Sequence, residues 1–100
     1  MERNMNPPPV SEKVFMAQVI DLASICGWLV YHTHDSRRSQ VGFVDLVLVR
    51  KRVLWVELKA ETGTLSPVQQ VWSDWLKAAE QEVYLWRPSD WDEIQKVLAR

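Results

Sequence analysis

Three charged residues stand in two strand-like, apolar stretches of the chain, where charges are uncommon. Asp45 lies within residues 41–49, and Glu57 and Lys59 lie within residues 53–59. The two segments otherwise consist almost entirely of valine, leucine and aromatic residues, a composition typical of strands that are buried on both sides. Charges embedded in such segments indicate a chemical task rather than contact with solvent.

The spacing of the two acids suggests that they face each other. The basic triplet Arg50, Lys51 and Arg52 separates the two segments and predicts a hairpin centred on Lys51. Asp45 then lies opposite Glu57, and two carboxylates facing each other repel more strongly as water is excluded. A divalent cation resolves this repulsion, since Mg²⁺ binds through one or two carboxylates together with waters and phosphate oxygens. The alternative is that both acids pair with arginines at a sheet edge.

Three further polar residues are candidates for the same site. Lys59 shares the strand face of Glu57, where a lysine beside a cation orients water or stabilises negative charge on phosphate; otherwise it is a solvated strand end. Glu12 falls on the apolar face of a predicted helix, although an acid also stabilises any helix N-terminus. Gln69 flanks the apolar face of another helix, where a capping role alone would also explain it.

These residues must be positioned by the elements of a small α/β domain. The patterns predict helices over 11–25, 66–80 and 90–99, and strands over 28–33, 41–49, 53–59 and 83–86. Ser11 is the expected cap of the first helix, Ser66 with Gln69 of the second, and Asp90 with Glu93 of the third. The order α-β-β-β-α-β-α implies an α/β fold with a mixed central β-sheet flanked by helices.

Composition restricts the possible functions. The chain of 100 residues is one domain over 11–100, preceded by a flexible, proline-containing tail over 1–10. Its one cysteine excludes an internal disulfide and a cysteine-cluster zinc site. A formal net charge of −1 excludes a protein that coats nucleic acid by bulk charge. We find no membrane-spanning apolar run, secretory signal, glycine-rich phosphate loop, nucleophile elbow or redox motif.

The candidate residues and their neighbours form an ordered set that resembles a known family. The set comprises an acid on the first helix, Gly42-Phe43-Val44-Asp45, Glu57-Leu58-Lys59, and Leu65-Ser66-Pro67-Val68-Gln69 followed by Trp72. It resembles the PD-(D/E)XK nuclease superfamily and, within it, the VRR-NUC (virus-type replication-repair nuclease) branch. The resemblance covers the chain from about Ser11 to residues 86–91. Val44 stands where the family usually has proline, a residue that stiffens the strand and ligates nothing.

The resemblance implies a PD-(D/E)XK restriction-endonuclease-like core and a structure-selective DNA endonuclease that uses Mg²⁺ or Mn²⁺. Asp45 and Glu57 would be metal ligands, with the backbone carbonyl of Leu58 as a further ligand. Lys59 would be the catalytic lysine, Glu12 would complete the site, and Gln69 matches the helix glutamine of the family. Members of this size, typical of phages and bacteria, resemble cytoplasmic homodimers that act on branched DNA such as four-way junctions.

Basic residues outside this set are candidates for contacts with DNA phosphates. They are His34, Arg37 and Arg38 in a predicted loop, and Arg50 and Lys51 at the hairpin turn. The alternatives are a solvated loop and a charge cluster that protects a sheet edge. His32 and His34 could also be a zinc pair, but no third ligand follows at a fixed spacing.

A different class of function remains open, namely a catalytically silent nuclease-fold module that binds DNA or protein. The presence of all four polar positions (Glu12, Asp45, Glu57 and Lys59) favours the enzyme. A restriction-type nuclease would need more chain than this for reading bases. For a homodimer, the expected surface is the far side of the first helix, with Val14, Ala17 and Ile25, together with tryptophans that one small core cannot enclose.

Overall fold

The computed structural model describes residues 10–33 and 40–100, which form three helices and four strands. The elements are α1 (Glu12–Ile25), β1 (Leu29–His32), β2 (Leu46–Val49), β3 (Val53–Leu58), α2 (Pro67–Ala78), β4 (Glu82–Trp86), a 3-10 turn (Pro88–Asp90) and α3 (Trp91–Ala99). The predicted element order is therefore confirmed. The predicted tail over 1–10 lies, apart from Val10, outside the described residues. Within the described part, no helix is long and apolar enough to cross a membrane.

The four strands form one mixed sheet in the order β1-β2-β3-β4. Both β1–β2 and β2–β3 are antiparallel, whereas β3 and β4 run parallel. In the hairpin, Val49 pairs with Val53 and Leu46 pairs with Val56. The hairpin is thus centred on Lys51, as predicted, and the register continued by one residue sets Asp45 opposite Glu57.

The second strand is shorter than the predicted 41–49 and begins only at Leu46. Gly42 has a φ of 83°, a backbone conformation that glycine adopts at little cost and that interrupts an extended strand. A Cβ atom at Gly42 would lie 2.3 Å from Cγ1 of Val68 in α2, so this loop approaches the helix too closely for any side chain. The prediction failed because it considered the apolar pattern and not this tertiary contact.

The core lies on one face of the sheet, beneath α1 and α3. It contains Leu46, Leu48, Leu54, Val56, Leu58 and Trp86 of the sheet, Phe15, Val19 and Ala23 of α1, and Ile94, Val97 and Leu98 of α3. On the opposite, outer face, Val47 and Trp55 are half-buried, and Leu29 and Tyr31 of β1 are exposed. The prediction that the strands are buried on both sides is therefore wrong for the outer face, which α2 covers only in part.

Capping residues start the first two helices where the sequence predicts. Ser11 caps α1, and Ser66 forms a reciprocal capping box with Gln69 at the start of α2. This second helix ends at Ala78, slightly before the predicted end at Glu80, which has a φ of 61°. The helix start that supplies Gln69 is thus fixed by local sequence.

The third helix begins at Trp91, with Asp90 at the predicted N-cap position, but the predicted capping through its side chain is wrong because Asp90 makes no side-chain hydrogen bond to the helix. Oδ2 of Asp90 accepts a hydrogen bond from the backbone N–H of Arg87 over 2.8 Å. Its carboxylate therefore closes the 3-10 turn Pro88–Asp90 and is not available to cap α3.

Candidate active site and metal site

The backbone and side chain of Asp45 are held at the end of the β2–β3 hairpin. Its Oδ2 accepts a hydrogen bond from the backbone N–H of Leu58 over 2.8 Å. Thr33 holds the backbone on the other side, since its N–H donates to the carbonyl of Asp45 and its hydroxyl donates to the carbonyl of Val44, both over 3.0 Å. The carboxylate therefore lies against the peptide unit that follows Glu57.

Glu57 is a buried acid with one unsatisfied oxygen. The residue is 2% exposed, and its Oε2 accepts a hydrogen bond from Nε2 of Gln69 over 3.1 Å. Oε1 is buried and has no hydrogen-bond partner among the described residues. Such an oxygen is unfavourable when ionised because it has lost water without gaining a donor. A cation at Oε1 would remove that cost.

Both carboxyl groups resist ionisation in this environment. Burial, reinforced by the negative charge of Asp45, raises the pKa of Glu57 from 4.5 to about 8. Burial also raises the pKa of Asp45 above 3.8, although the hydrogen bond from Leu58 and the charge of Lys59 act in the opposite direction. At neutral pH the two carboxyl groups therefore carry less negative charge than two fully ionised carboxylates. A cation bound beside them would favour the ionised form of both.

Lys59 supplies positive charge next to the acids. Its backbone N–H donates to the carbonyl of Trp86 over 3.0 Å, which continues the pairing of β3 and β4 by one residue. Its ammonium lowers the pKa of both Asp45 and Glu57, so it lies within electrostatic reach of each carboxylate. Leu58, between the two functional residues, buries its side chain in the core and thereby fixes the strand end.

Glu12 lies on the predicted helix face but is exposed. Phe15 and Val19 of the same face are fully buried, whereas Glu12 occupies the first turn of α1, at the edge of the core. Glu12 thus lies on the predicted face, at the end of that face where the core stops. The negative charge of Glu12 is nevertheless one of the causes that raise the pKa of Glu57. It is placed to act on the site from the rim.

The side-chain amide of Gln69 has a single possible orientation. Its Oε1 accepts a hydrogen bond from the backbone N–H of Ser66 over 2.9 Å, and a backbone N–H can only donate. The NH₂ group must therefore face Glu57. Gln69 has its predicted capping role and, in addition, holds one oxygen of Glu57 while leaving the other free.

The donor set suits a hard divalent cation better than zinc. No group of three or more His, Cys, Asp and Glu side chains that could hold a metal ion occurs among residues 10–33 and 40–100. Asp45 and Glu57 supply two carboxylates, which is sufficient for Mg²⁺ because this ion retains waters and binds substrate phosphates. Zinc sites usually need three or four protein ligands.

The hairpin arginine Arg50 makes contacts that the sequence did not predict. Its Nη1 donates to the carbonyl of Cys26 over 2.8 Å, and its guanidinium lies 4.6 Å from the ring centroid of Trp28. Arg50 therefore ties the end of α1 to the hairpin, while Lys51 is exposed at the tip. Contacts of these two residues with phosphate remain a prediction.

The other predicted basic residues, His34, Arg37 and Arg38, lie outside the described residues, as does one member of the possible zinc pair. His32, the other member, pairs with Leu46 at the end of β1. Its charge is one of the influences that lower the pKa of Asp45, against the larger effect of burial. It thus lies near the site without having been predicted as part of it.

Sequence reasoning missed Thr33 and a set of contacts made by Arg87. Nη1 of Arg87 donates to the carbonyls of Ala60 and Glu61, which immediately follow Lys59. The available signal was the turn-forming Pro-Ser-Asp sequence after Arg87, but nothing in it identifies the segment that the arginine would contact.

Comparisons with known proteins found no matching protein-family model, no similar curated protein and no similar solved structure. The geometry and chemistry of the site are therefore the basis for inferring its function.

Proposed function

We propose that the chain is a metal-dependent DNA endonuclease that hydrolyses phosphodiester bonds with Mg²⁺ or Mn²⁺. One observation supports this proposal above the others: Oε1 of the buried Glu57 has no partner, and its carboxyl group is close enough to Asp45 for the two charges to interact. Burying two carboxylates beside a lysine costs the fold free energy. A bound divalent cation is expected to offset this cost, because it neutralises both charges.

The architecture supports the more specific assignment to the PD-(D/E)XK core of VRR-NUC type. The mixed sheet and the order of helices and strands agree with what the sequence resemblance implies. Asp45, Glu57 and Lys59 lie at one end of neighbouring strands, and Gln69 reaches Glu57 from the first turn of the next helix. The ordered motif thus corresponds to one local cluster of side chains.

In the proposed reaction each residue has a distinct task. Asp45, Glu57 and the carbonyl of Leu58 would hold the cation, which when bound would polarise the phosphate and lower the pKa of water. Lys59 would orient the attacking water and stabilise the negative charge that develops on the phosphate oxygens. Gln69 keeps Glu57 oriented through its hydrogen bond to Oε2.

Branched DNA and a homodimer complete the proposal. One active site cuts one strand, so paired cuts at a four-way junction require two subunits related by a two-fold axis. Ile25 of α1 is 82% exposed, and on the outer side of the sheet Leu29 is 74% exposed and Trp75 of α2 is 73% exposed. Exposed apolar side chains of this size support self-association.

Cleavage of linear duplex, flap and four-way-junction DNA by the purified protein, in Mg²⁺ or in EDTA, tests the proposal. Wild-type protein should cleave branched DNA only with the metal, and Asp45→Asn, Glu57→Gln and Lys59→Met should each remove nearly all activity. The exposed residues Asp74 and Lys77 provide the matched controls Asp74→Asn and Lys77→Met, which should cleave as the wild type does.

Two results would contradict the enzyme assignment. Cleavage that persists in EDTA or in Lys59→Met would show that the activity does not come from this site. Tight binding of junction DNA without any cleavage in Mg²⁺ or Mn²⁺ would favour the alternative, a catalytically silent binding module.

A further inference from the structure

The turn that follows Lys59 is fastened to the end of β4 by reciprocal hydrogen bonds. Nη1 of Arg87 donates to the carbonyl of Ala60 over 2.8 Å and to the carbonyl of Glu61 over 3.2 Å. In return, Oε1 of Glu61 accepts a hydrogen bond from the backbone N–H of Ser89 over 2.6 Å. Side chains from both segments thus bind the backbone of the other.

The β4 side of this connection is well anchored. Arg87 follows Trp86, which is 2% exposed and whose carbonyl accepts the N–H of Lys59. The backbone N–H of Arg87 donates to Oδ2 of Asp90, and the N–H of Asp90 donates to the carbonyl of Arg87, each over 2.8 Å. Proline at position 88 further restricts this short turn. Arg87 therefore projects from a fixed backbone.

The fastened turn lies against the side chain of Lys59. The N–H of Gly63 donates to the carbonyl of Ala60 over 3.2 Å, which folds the chain back on itself. A Cβ atom at Gly63 would be 3.4 Å from Cδ of Lys59 and 3.6 Å from its Cβ. The backbone at Gly63, about one methyl group away, is thus a wall of the space in which the aliphatic part of Lys59 can move. A lysine side chain has many rotamers, and such a wall reduces their number.

We propose that Arg87 is a positioning residue for the reaction, because it fixes the turn that directs the Lys59 side chain. This inference rests on the proposed role of Lys59 in phosphodiester hydrolysis. Arg87 acts through the turn and not through contact with substrate. An arginine suits this task because the two N–H bonds of Nη1, which donate to the two carbonyls, are fixed in the plane of the guanidinium, whereas the ammonium of a lysine rotates freely.

Steady-state cleavage by Arg87→Ala, together with Mn²⁺ binding, tests this role. We expect kcat to fall by about ten- to a hundredfold, because a small displacement of a catalytic group has effects of this size. KM should change little, and the Mn²⁺ dissociation constant should stay near the wild-type value because Asp45 and Glu57 are untouched. Arg87→Lys should recover part of kcat.

Two further variants test the connection without altering Arg87. Glu61→Ala removes the acceptor for Ser89 and should lower kcat, whereas Glu61→Gln keeps an acceptor oxygen and should stay close to wild type. Gly63→Ala places a methyl group in ordinary van der Waals contact with Lys59, so it keeps this wall and should leave both kcat and Mn²⁺ binding close to wild type. Glu61 is exposed, so its variants are expected to fold even where Arg87→Ala does not.

Arg52 provides the matched control at the opposite end of the sheet. Its Nη2 also donates to a backbone carbonyl, that of Val97, over 3.0 Å, and its Nε pairs with Glu82 over 2.9 Å. Arg52→Ala should lower the unfolding temperature and leave kcat unchanged below that temperature.

The inference is overturned if Arg87→Ala or Glu61→Ala cleaves at the wild-type rate, or if their loss of kcat equals their loss of Mn²⁺ affinity. A wild-type protein that cleaves no DNA would instead overturn the proposed function, and this inference with it.

Discussion

Gln69 and Glu57 are joined by a hydrogen bond of 3.1 Å whose direction is set by the start of α2. Because Oε1 of Gln69 is occupied by the N–H of Ser66, only the NH₂ group can face Glu57. The same side chain thus stabilises the helix start and holds the carboxylate. A local helix-capping pattern thereby becomes part of the candidate site.

Substitutions at Gln69 should separate these two tasks. Gln69→Glu keeps an acceptor for the N–H of Ser66 but replaces the donor to Glu57 by a second carboxylate, so Mg²⁺-dependent cleavage should fall at least about tenfold while metal-free stability stays near wild type only at low pH, where Glu57 is protonated. Gln69→Ala loses both contacts and should also lower the free energy of unfolding by ~0.5–1 kcal/mol. Denaturant unfolding and cleavage rates measure the two effects. Undiminished cleavage by both variants would show that the hydrogen bond has no part in the reaction.

Without metal, the protein should become less stable as the pH rises from about 4.5 to about 8. The pKa of Glu57 is raised by burial from 4.5 to about 8, so the folded state keeps a proton that the unfolded chain releases. The resulting stabilisation is complete below the unfolded pKa and is lost as the pH approaches the folded pKa. Each unit of pKa difference corresponds to ~1.4 kcal/mol. The raised pKa of Asp45 acts in the same direction.

Denaturant unfolding in EDTA between pH 5 and pH 8.5 measures this slope. Glu57→Gln carries no ionisable group at this position and should show a much flatter dependence. Mg²⁺ should stabilise the wild type most at the high-pH end, where both acids are ionised. Equal slopes in wild type and Glu57→Gln would mean that Glu57 does not have the environment described above.

Asp45→Asn should stabilise the metal-free protein at pH 8 while removing metal binding. The variant relieves the repulsion from Glu57, and its amide oxygen can still accept the N–H of Leu58. Thermal unfolding in EDTA should therefore shift to a higher temperature, whereas calorimetric titration with Mn²⁺ should show little or no binding. Asp74→Asn, which changes an exposed acid, controls for the loss of one negative charge. A destabilised Asp45→Asn would indicate that the carboxylate is needed for the fold itself.

The proximity of Asp45 to Glu57 could be predicted because it depends on alternation along two adjacent strands and on the centre of one hairpin, whose pairing ends one residue away at Leu46 and Val56. The start of β2 could not be predicted, because the loop around Gly42 is shaped by its close approach to Val68, in a helix that is distant in the sequence. The exposure of Glu12 could not be predicted for a related reason. Helical periodicity gives the face of a residue but not where the core beneath that face ends.

The contacts of two arginines could not be predicted from the sequence either. In the sequence, Arg50 reads as one member of a basic cluster, but in the fold it binds the carbonyl of Cys26 and lies over Trp28. Arg87 binds the carbonyls of Ala60 and Glu61. Such bonds to backbone carbonyls place no requirement on the type of residue that accepts them, so the sequence carries no pattern that identifies the partner.

The proposed homodimer requires an exposed apolar surface through which two chains can associate. Tyr31 and Leu29 of β1 are 58% and 74% exposed on the outer side of the sheet, and Trp75 of α2 is 73% exposed. An aromatic side chain carries roughly 150–250 Å² of surface. Side chains of this kind therefore supply part of the ~800 Å² that each partner buries in a standard interface.

Light scattering at micromolar concentration should give twice the chain mass of 11.7 kDa. Tyr31→Lys and Ile25→Lys then distinguish the outer sheet from the predicted surface on α1. We expect the larger effect from Tyr31→Lys, because Leu29 is exposed two residues away on the same strand face and a lysine buried in an interface there would lack a charge partner. Dimers that survive both substitutions would exclude both surfaces. A wild-type monomer that still nicks DNA would leave the nuclease proposal intact and exclude paired cleavage of junctions by one dimer.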